Sequence, residues 1–166
     1  MRLSGTAHDS CLSKDRAAIQ YGRSDMSKRP TKSDLAAVAA FSELFDAPGF
    51  SPGEWVPSEK QKNGSYTFPW WNGSQVVNEW LQALYDHNII DPDSGYMEES
   101  HAEFMLRLKE DSSPIADSDL ATVRRVLTYV VRADRFVEGT LAEAFHSGVA
   151  QTATRRLGEL VGRDVK

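Results

Sequence analysis

Apolar residues recur three and four positions apart in six segments of the 166-residue chain, which is the spacing of one face of an α-helix. The segments cover about residues 33–45, 75–87, 97–109, 119–133, 140–147 and 149–161. Residues suited to the N-cap position stand at or just before the start of three segments: Thr31 or Ser33, Ser74, and Asp117 or Ser118. The pattern predicts a mainly α (α+β) fold of about five or six helices.

Residues 53–71 depart from the helical pattern. Two short apolar runs flank a polar stretch that contains Asn63-Gly64, and this arrangement is typical of a β-hairpin. Pro57 and Pro69 lack a backbone N–H, so they restrict these strands to short pieces or to an edge. We therefore expect one small antiparallel β-hairpin packed against the helices.

The remaining features predict one domain over residues 31–166, preceded by a mobile or irregular arm over residues 1–30. The first 30 residues are polar and show no hydrophobic period. Cys11 is the only cysteine, so an internal disulfide is impossible, which fits a reducing cytoplasm. The sequence shows no membrane-spanning run and no secretory signal, so we expect a cytoplasmic protein that does not bind membranes.

Charge is distributed unevenly along the chain. Residues 41–118 carry four Lys/Arg and fourteen Asp/Glu, a net charge of −10, whereas the whole chain carries −5. Such an acidic segment repels nucleic acid and attracts a basic protein surface. A solvated acidic face that keeps the protein soluble is the favoured interpretation of this charge, ahead of a dedicated docking surface. Among partners, a protein with a basic surface is the first expectation.

Chemistry-bearing motifs are scarce. His8, His87, His101 and His146 fall in four different segments, without the paired spacing of a metal site. The turn that begins at Asp91 resembles the opening of a calcium loop, but the glycine and glutamate of that loop are missing. We expect no metal, no cofactor and no catalytic residues.

Aromatic residues are concentrated in one part of the chain. Ten of the sixteen lie between Phe41 and Tyr85, including all four tryptophans. Trp80 lies on a helical apolar stripe and is expected in the core. Adjacent residues of an extended strand point to opposite faces, so one of Trp70 and Trp71 should face solvent or a partner. We predict a partner-binding surface at Trp55, Trp70 and Trp71, with burial under the first helix as the alternative.

A charged cluster follows the fourth helical segment. Arg132 and Arg135 are three positions apart, so on a continuing helix they would share a face. Two guanidinium groups could clamp an anionic small molecule. Alternatively, they could form a structural network with Asp134 and Glu138 that shapes the turn into the next helix.

The last two helical segments have the spacing of a helix-turn-helix. Ala144 lies four residues before Gly148, and an apolar residue follows that glycine. Gln151, Thr152, Arg155 and Arg156 would then lie on a DNA-recognition helix. Residues 119–166 carry a net charge of only +2, however, which is small for a DNA-binding protein.

The chain resembles a bacterial and archaeal family of unknown function. The resemblance rests on Arg132-x-Asp134-Arg135-Phe136-x-Glu138-Gly139, on Gly148 and on Arg155-Arg156-Leu157, within an LLT…RxDRFxEG…G…LRRL signature. It covers about residues 35–160, and Val137 and Thr154 depart from it. The resemblance implies one domain and gives residues 132–139 as its signature, but it implies no activity or substrate.

These observations favour a non-catalytic protein that binds a macromolecular partner, a function suited to an accessory protein of a mobile element or to modulation of defence. A helix-turn-helix-like DNA-binding regulator is the first alternative. A binder of an anionic small molecule, or an enzyme, that uses Arg132, Arg135 and Glu138 is the second. The pattern is compatible with a monomer or a homodimer.

Overall fold

The computed structural model describes residues 29–162. The predicted N-terminal arm, with Cys11 and His8, lies outside these residues except for Arg29 and Pro30. The elements are α1 (Lys32–Ala39), α2 (Phe41–Phe45), β1 (Gly53–Val56), β2 (Trp70–Gly73), α3 (Gln75–Asp86), α4 (Glu99–Glu110), α5 (Leu120–Ala133), α6 (Thr140–His146) and α7 (Val149–Val161), with a 3₁₀ turn at Ser113–Ile115. The mainly α fold with one antiparallel hairpin is confirmed.

The first predicted helix, residues 33–45, is divided in the structure. Thr31, not Ser33, is its N-cap, and Asp34 completes a capping box with it. Ala40 takes 3₁₀-like angles, and the Ser42 hydroxyl donates to the Ala39 carbonyl at 2.7 Å, so α1 ends and α2 begins at this point. Hydrogen bonds from Thr31 and then from His87 lower the pKa of Asp34 to about 2.

The other helices follow their predicted segments closely. Ser74 caps α3 as expected, and Asp119 caps α5 in place of the predicted Asp117 or Ser118. Helix α4 begins at Glu99, two residues after the predicted start at residue 97, so Met97 lies before the helix and is exposed. No helix among residues 29–162 is long and apolar enough to cross a membrane.

Helix α7 packs against α1, α2, α5, α6 and the 3₁₀ turn. Ala150, Ala153 and Leu157 are fully buried on it. A Cβ atom added at Gly158 would lie 3.2 Å from the Cβ of Ala39, so this glycine allows the close approach of α1. The last helix is therefore a central element of the core.

Two buried arginines join the helices to loops. Arg124 on α5 donates to the backbone carbonyls of Asn88 and Ile89 at 3.1 Å and pairs with Asp91 at 3.1 Å. Arg156 on α7 donates to the Ser118 carbonyl at 2.8 Å. Buried guanidinium groups are tolerated when their donors are satisfied in this way.

Helix α4 contributes His101, Met105 and Leu108 to the interior. The imidazole of His101 packs edge-on against Tyr129 of α5, and its Nε2 atom has no hydrogen-bond partner. Burial lowers the pKa of His101, the positive charge of Arg125 lowers it further, and Glu98 opposes this shift. The folded protein therefore favours the neutral imidazole.

This preference predicts a pH-dependent stability. The pKa of an unfolded histidine is about 6.5, and that of His101 in the folded state is lower. As pH falls below the unfolded value, the unfolded chain takes up a proton more readily, so the free energy of unfolding decreases. We expect His101→Phe to reduce the loss of stability between pH 7.5 and pH 5.5, measured by chemical denaturation.

The matched control is His146→Gln, which removes an exposed histidine and should leave the loss of stability over the same pH range unchanged. If His101→Phe loses as much stability as the native chain over this range, His101 does not cause the effect.

Candidate functional site

Residues 53–73 form a β arm that is paired in two parts. Gly53 pairs with Gly73 and Val56 with Trp70 in the sheet, and an isolated bridge joins Lys60 to Tyr66 further out. In this register Pro57 stands opposite Pro69. Neither proline has a backbone N–H, so the ladder is interrupted there. The arm thus has a base, formed by β1 and β2, and an outer half. Hydrogen bonds such as that from the Thr67 amide to the Glu59 carbonyl hold the outer half together.

The tip of the β arm differs from the predicted two-residue turn at Asn63-Gly64. The Gln61 amide donates to the Ser65 carbonyl at 2.7 Å, so Lys62, Asn63 and Gly64 form a three-residue loop. Gly64 has a φ of +86°, the left-handed conformation that such loops require at their last position. The Asn63 side chain accepts hydrogen bonds from the amide and hydroxyl of Ser65.

The outer half of the β arm is exposed. Every residue from Pro57 to Trp70 is exposed except Gln61. Among them are three aromatic side chains with exposed fractions of 64% for Tyr66, 90% for Phe68 and 37% for Trp70. We call these three residues the arm aromatics. Of the three, only Trp70 was predicted from the sequence, although they recur at every second position.

The two remaining tryptophans of the arm lie on its inner face. Trp55 and Trp71 are directly opposite each other across the two strands, so their side chains share a face. Trp71 is half-buried and stacks on Phe145, with ring centres 6.5 Å apart. Trp55 lies over Gly139, because a Cβ atom added there would be 2.7 Å from the indole. As expected, Trp70 and Trp71 point to opposite faces.

Glu138 of the charged cluster contacts the base of the β arm. The Trp71 amide donates to the Glu138 carboxylate at 2.9 Å. Asp134 accepts from the Leu141 amide at 2.9 Å and so satisfies one donor at the start of α6. The structure thus brings together the tryptophans and the charged cluster, which sequence analysis treated as separate candidates.

Each arginine of the cluster contacts a tyrosine. Helix α5 ends at Ala133, so Arg135 lies beyond the helix. Arg135 donates to the Tyr85 hydroxyl at 2.7 Å, and the Arg132 guanidinium lies 5.4 Å from the centre of the Tyr96 ring. Burial raises the pKa of Tyr85, an effect that the positive charges of Arg135 and then of Arg132 oppose. These contacts favour the structural network over the anion clamp.

A cleft opens between the inner face of the β arm and α6. Its volume is about 330 Å³. It is lined by Pro52, Trp55, Trp71, Gly139, Ala142, Glu143 and His146. Glu143 and His146 are exposed, so the cleft has apolar walls and a polar rim. No sequence signal pointed to the residues that α6 contributes.

The predicted DNA-contacting residues mostly make contacts inside the protein. Arg156 is 3% exposed, and Gln151 donates to the Phe145 carbonyl at 3.0 Å. Thr152 contacts the Ser112 hydroxyl at 3.3 Å. Arg155 is exposed and pairs with Asp46 at 3.1 Å. DNA binding through α7 stays a prediction, and these contacts do not favour it.

Within the described residues, no group of three or more histidine, cysteine, aspartate and glutamate side chains could hold a metal ion. The acidic turn at Asp91 is used internally, since its carboxylate accepts from the Asp93 amide and pairs with Arg124.

A family model described as a family of unknown function (DUF6508) matches residues 30–163, so the chain belongs to this family. The expected membership of a family of unknown function is confirmed. No curated protein and no solved structure matches the chain.

The contact between Gly139 and Trp55 predicts a large effect of a small substitution. Gly139 has a φ of +92°, and an added Cβ atom would also collide with Trp55. We expect Gly139→Ala to lower the free energy of unfolding by about 3 kcal/mol, from backbone strain and displacement of the indole. Chemical denaturation measures the free energy of unfolding, and the tryptophan fluorescence of the folded state reports displacement of the indole.

The control for this prediction is Gly49→Ala. Gly49 also has a positive φ, +82°, but no atom lies within 4 Å of an added Cβ. It should cost about 1 kcal/mol from backbone strain alone. Equal losses for the two variants would show that Trp55 does not press on Gly139.

The structural interpretation of the charged cluster predicts an energetic coupling between Arg135 and Tyr85. A double-mutant cycle with Arg135→Met and Tyr85→Phe should give a coupling of about 1 kcal/mol in the free energy of unfolding. Inorganic sulfate should change the melting temperatures of the native chain and of Arg135→Met by the same amount. A sulfate-dependent rise in the native chain that Arg135→Met abolishes would support the anion clamp instead.

Proposed function

We propose that this member of a family of unknown function is a non-catalytic binding protein that docks on a protein partner through the β arm. The observation that carries the proposal is the exposure of the arm aromatics, Tyr66, Phe68 and Trp70. Aromatic side chains exposed together on a protruding element are typical of protein interfaces, where Tyr and Trp contribute a large share of the binding energy.

The base of the β arm supports this function because contacts with the helical part of the protein hold it in place. Trp71 stacks on Phe145 in the core, and its amide is held by Glu138. Trp55 lies over Gly139. A side chain on an element that is already fixed in place loses less conformational freedom on binding than a side chain on a free loop. This preorganisation favours affinity.

The charge of the chain supports a partner with a basic surface. Residues 41–118 carry a net charge of −10, and all of it lies outside the β arm, since residues 53–73 contain two Glu and two Lys. This charge attracts a basic protein and disfavours nucleic acid. Phe136 and Val137, which immediately precede Glu138, are also exposed and add apolar surface beside the base of the arm. We place this function in the cytoplasm, and an accessory role in a mobile element or in defence is compatible with it.

The test uses substitutions at two of the arm aromatics, Tyr66 and Phe68. Because Tyr66 and Phe68 are largely exposed, Tyr66→Ser and Phe68→Ser together should leave the melting temperature unchanged. We expect the double variant to weaken binding to the partner by about 30-fold or more, as for a hot spot worth at least 2 kcal/mol. The partner is sought by affinity capture from the source organism and then purified, and its dissociation constant is measured by calorimetry.

The matched control is Leu106→Ser on α4, which removes another exposed apolar side chain far along the chain from the arm. Support requires a purified partner that binds the native chain and Leu106→Ser equally and the double variant weakly. A partner that binds all three equally, or binding only to duplex DNA, would overturn the proposal.

A further inference from the structure

We propose that the cleft between the inner face of the β arm and α6 binds an arginine side chain of the protein partner. The inference rests on the proposed function in one respect, that the arginine belongs to a protein. The cleft is lined by Trp55 and Trp71 from the arm, by Pro52 just before it, and by Gly139 and Glu143 from the helix side. These residues differ from the arm aromatics.

The cleft is large enough to hold a long side chain. At about 330 Å³ it lies at the lower end of the range for small-molecule sites. The small residues Gly139 and Ala142 line it and leave room beside the two indoles. Because Gly139 also has a φ of +92°, a larger residue is disfavoured at this position for two independent reasons.

The aromatic walls indicate a cation. Trp55 is 53% exposed although it lies over Gly139, so part of its indole is open to a ligand. Tryptophan is the aromatic residue that attracts a cation most strongly over its ring face. Pro52 adds an apolar surface against which the methylene groups of a long basic side chain can pack.

The rim of the cleft supplies one carboxylate, that of Glu143, beside the imidazole of His146. Glu143 lies on α6 with half of its side chain exposed. Its nearest basic partner among the described residues is Lys109, at 4.0 Å, and that side chain is also half exposed. Such a pair contributes little, so a ligand cation can replace Lys109 at small cost. An anionic ligand, in contrast, would be repelled by Glu143.

Arginine fits this arrangement better than lysine. Its planar guanidinium can stack on an indole and present two parallel donors to one carboxylate, which the ammonium group of lysine cannot do. An uncharged side chain would cover the Glu143 carboxylate without replacing its lost hydration.

The experiment uses three short peptides, acetyl-Gly-Arg-Gly-amide and its citrulline and lysine counterparts, added to the full chain at low salt. Binding is followed by the NMR signals of the four indole N–H groups, assigned with single Trp→Phe variants. We expect the arginine peptide to shift the signals of Trp55 and Trp71 saturably and to bind about tenfold more tightly than the uncharged citrulline peptide. The lysine peptide should bind with intermediate affinity.

Glu143→Gln should weaken the arginine peptide about three- to tenfold and leave the citrulline peptide unchanged. The matched control is Glu103→Gln, which removes the same charge at an exposed position of α4 outside the cleft. Equal binding of arginine and citrulline peptides, shifts confined to Trp70 or Trp80, or an equal effect of both glutamate substitutions would overturn the proposal.

The outcome is separable from that of the proposed function. If the peptides fail to bind but a purified partner still depends on Tyr66 and Phe68, the β arm is a docking element and the cleft is not an arginine site. If the arginine peptide binds as expected but no partner depends on these two residues, the cleft recognises arginine and docking through the arm aromatics is wrong.

Discussion

The aromatic packing around Phe145 holds the parts of this structure together. The Phe145 ring on α6 lies 5.2 Å from Phe45 of α2 and 5.4 Å from Trp80 of α3, each with edge-to-face geometry. It also stacks on Trp71 of the β arm at 6.5 Å. Edge-to-face and stacked rings add specific geometry to the burial of apolar area. The orientation of the arm therefore depends on the same side chain that closes the helical core.

Helical spacing and capping residues were sufficient to predict most of the fold. Helices α3, α5, α6 and α7 begin and end within two residues of the predicted segments, because each combines an apolar stripe with a residue that stops or starts the helix. The division of the first helix at Ala40 was not predictable, because it depends on the hydroxyl of Ser42 reaching back to the Ala39 carbonyl. No breaker residue signals this contact.

The candidate site was predictable only in part, because its members meet through tertiary packing. Trp55, Trp70 and Trp71 were found from their types and alternation. The spacing of Arg132 and Arg135 suggested a shared face on a continuing helix, but α5 ends at Ala133, so the tyrosines that they contact could not be predicted. Arg156 has the sequence character of a surface residue, yet it is buried because the Ser118 carbonyl and Glu159 satisfy its donors. The residues that α6 contributes to the cleft have no sequence signal at all.

The construction of the β arm favours recognition by side chains over pairing of backbones. A two-stranded arm has two open edges, to which another strand could add. Here Pro57 and Pro69 cannot donate hydrogen bonds, and the Trp71 amide already donates to Glu138. These features obstruct addition of a strand along the arm and leave the aromatic side chains as its main contact groups. A partner would therefore be selected by the shape and charge of its side chains, since these meet the exposed rings directly.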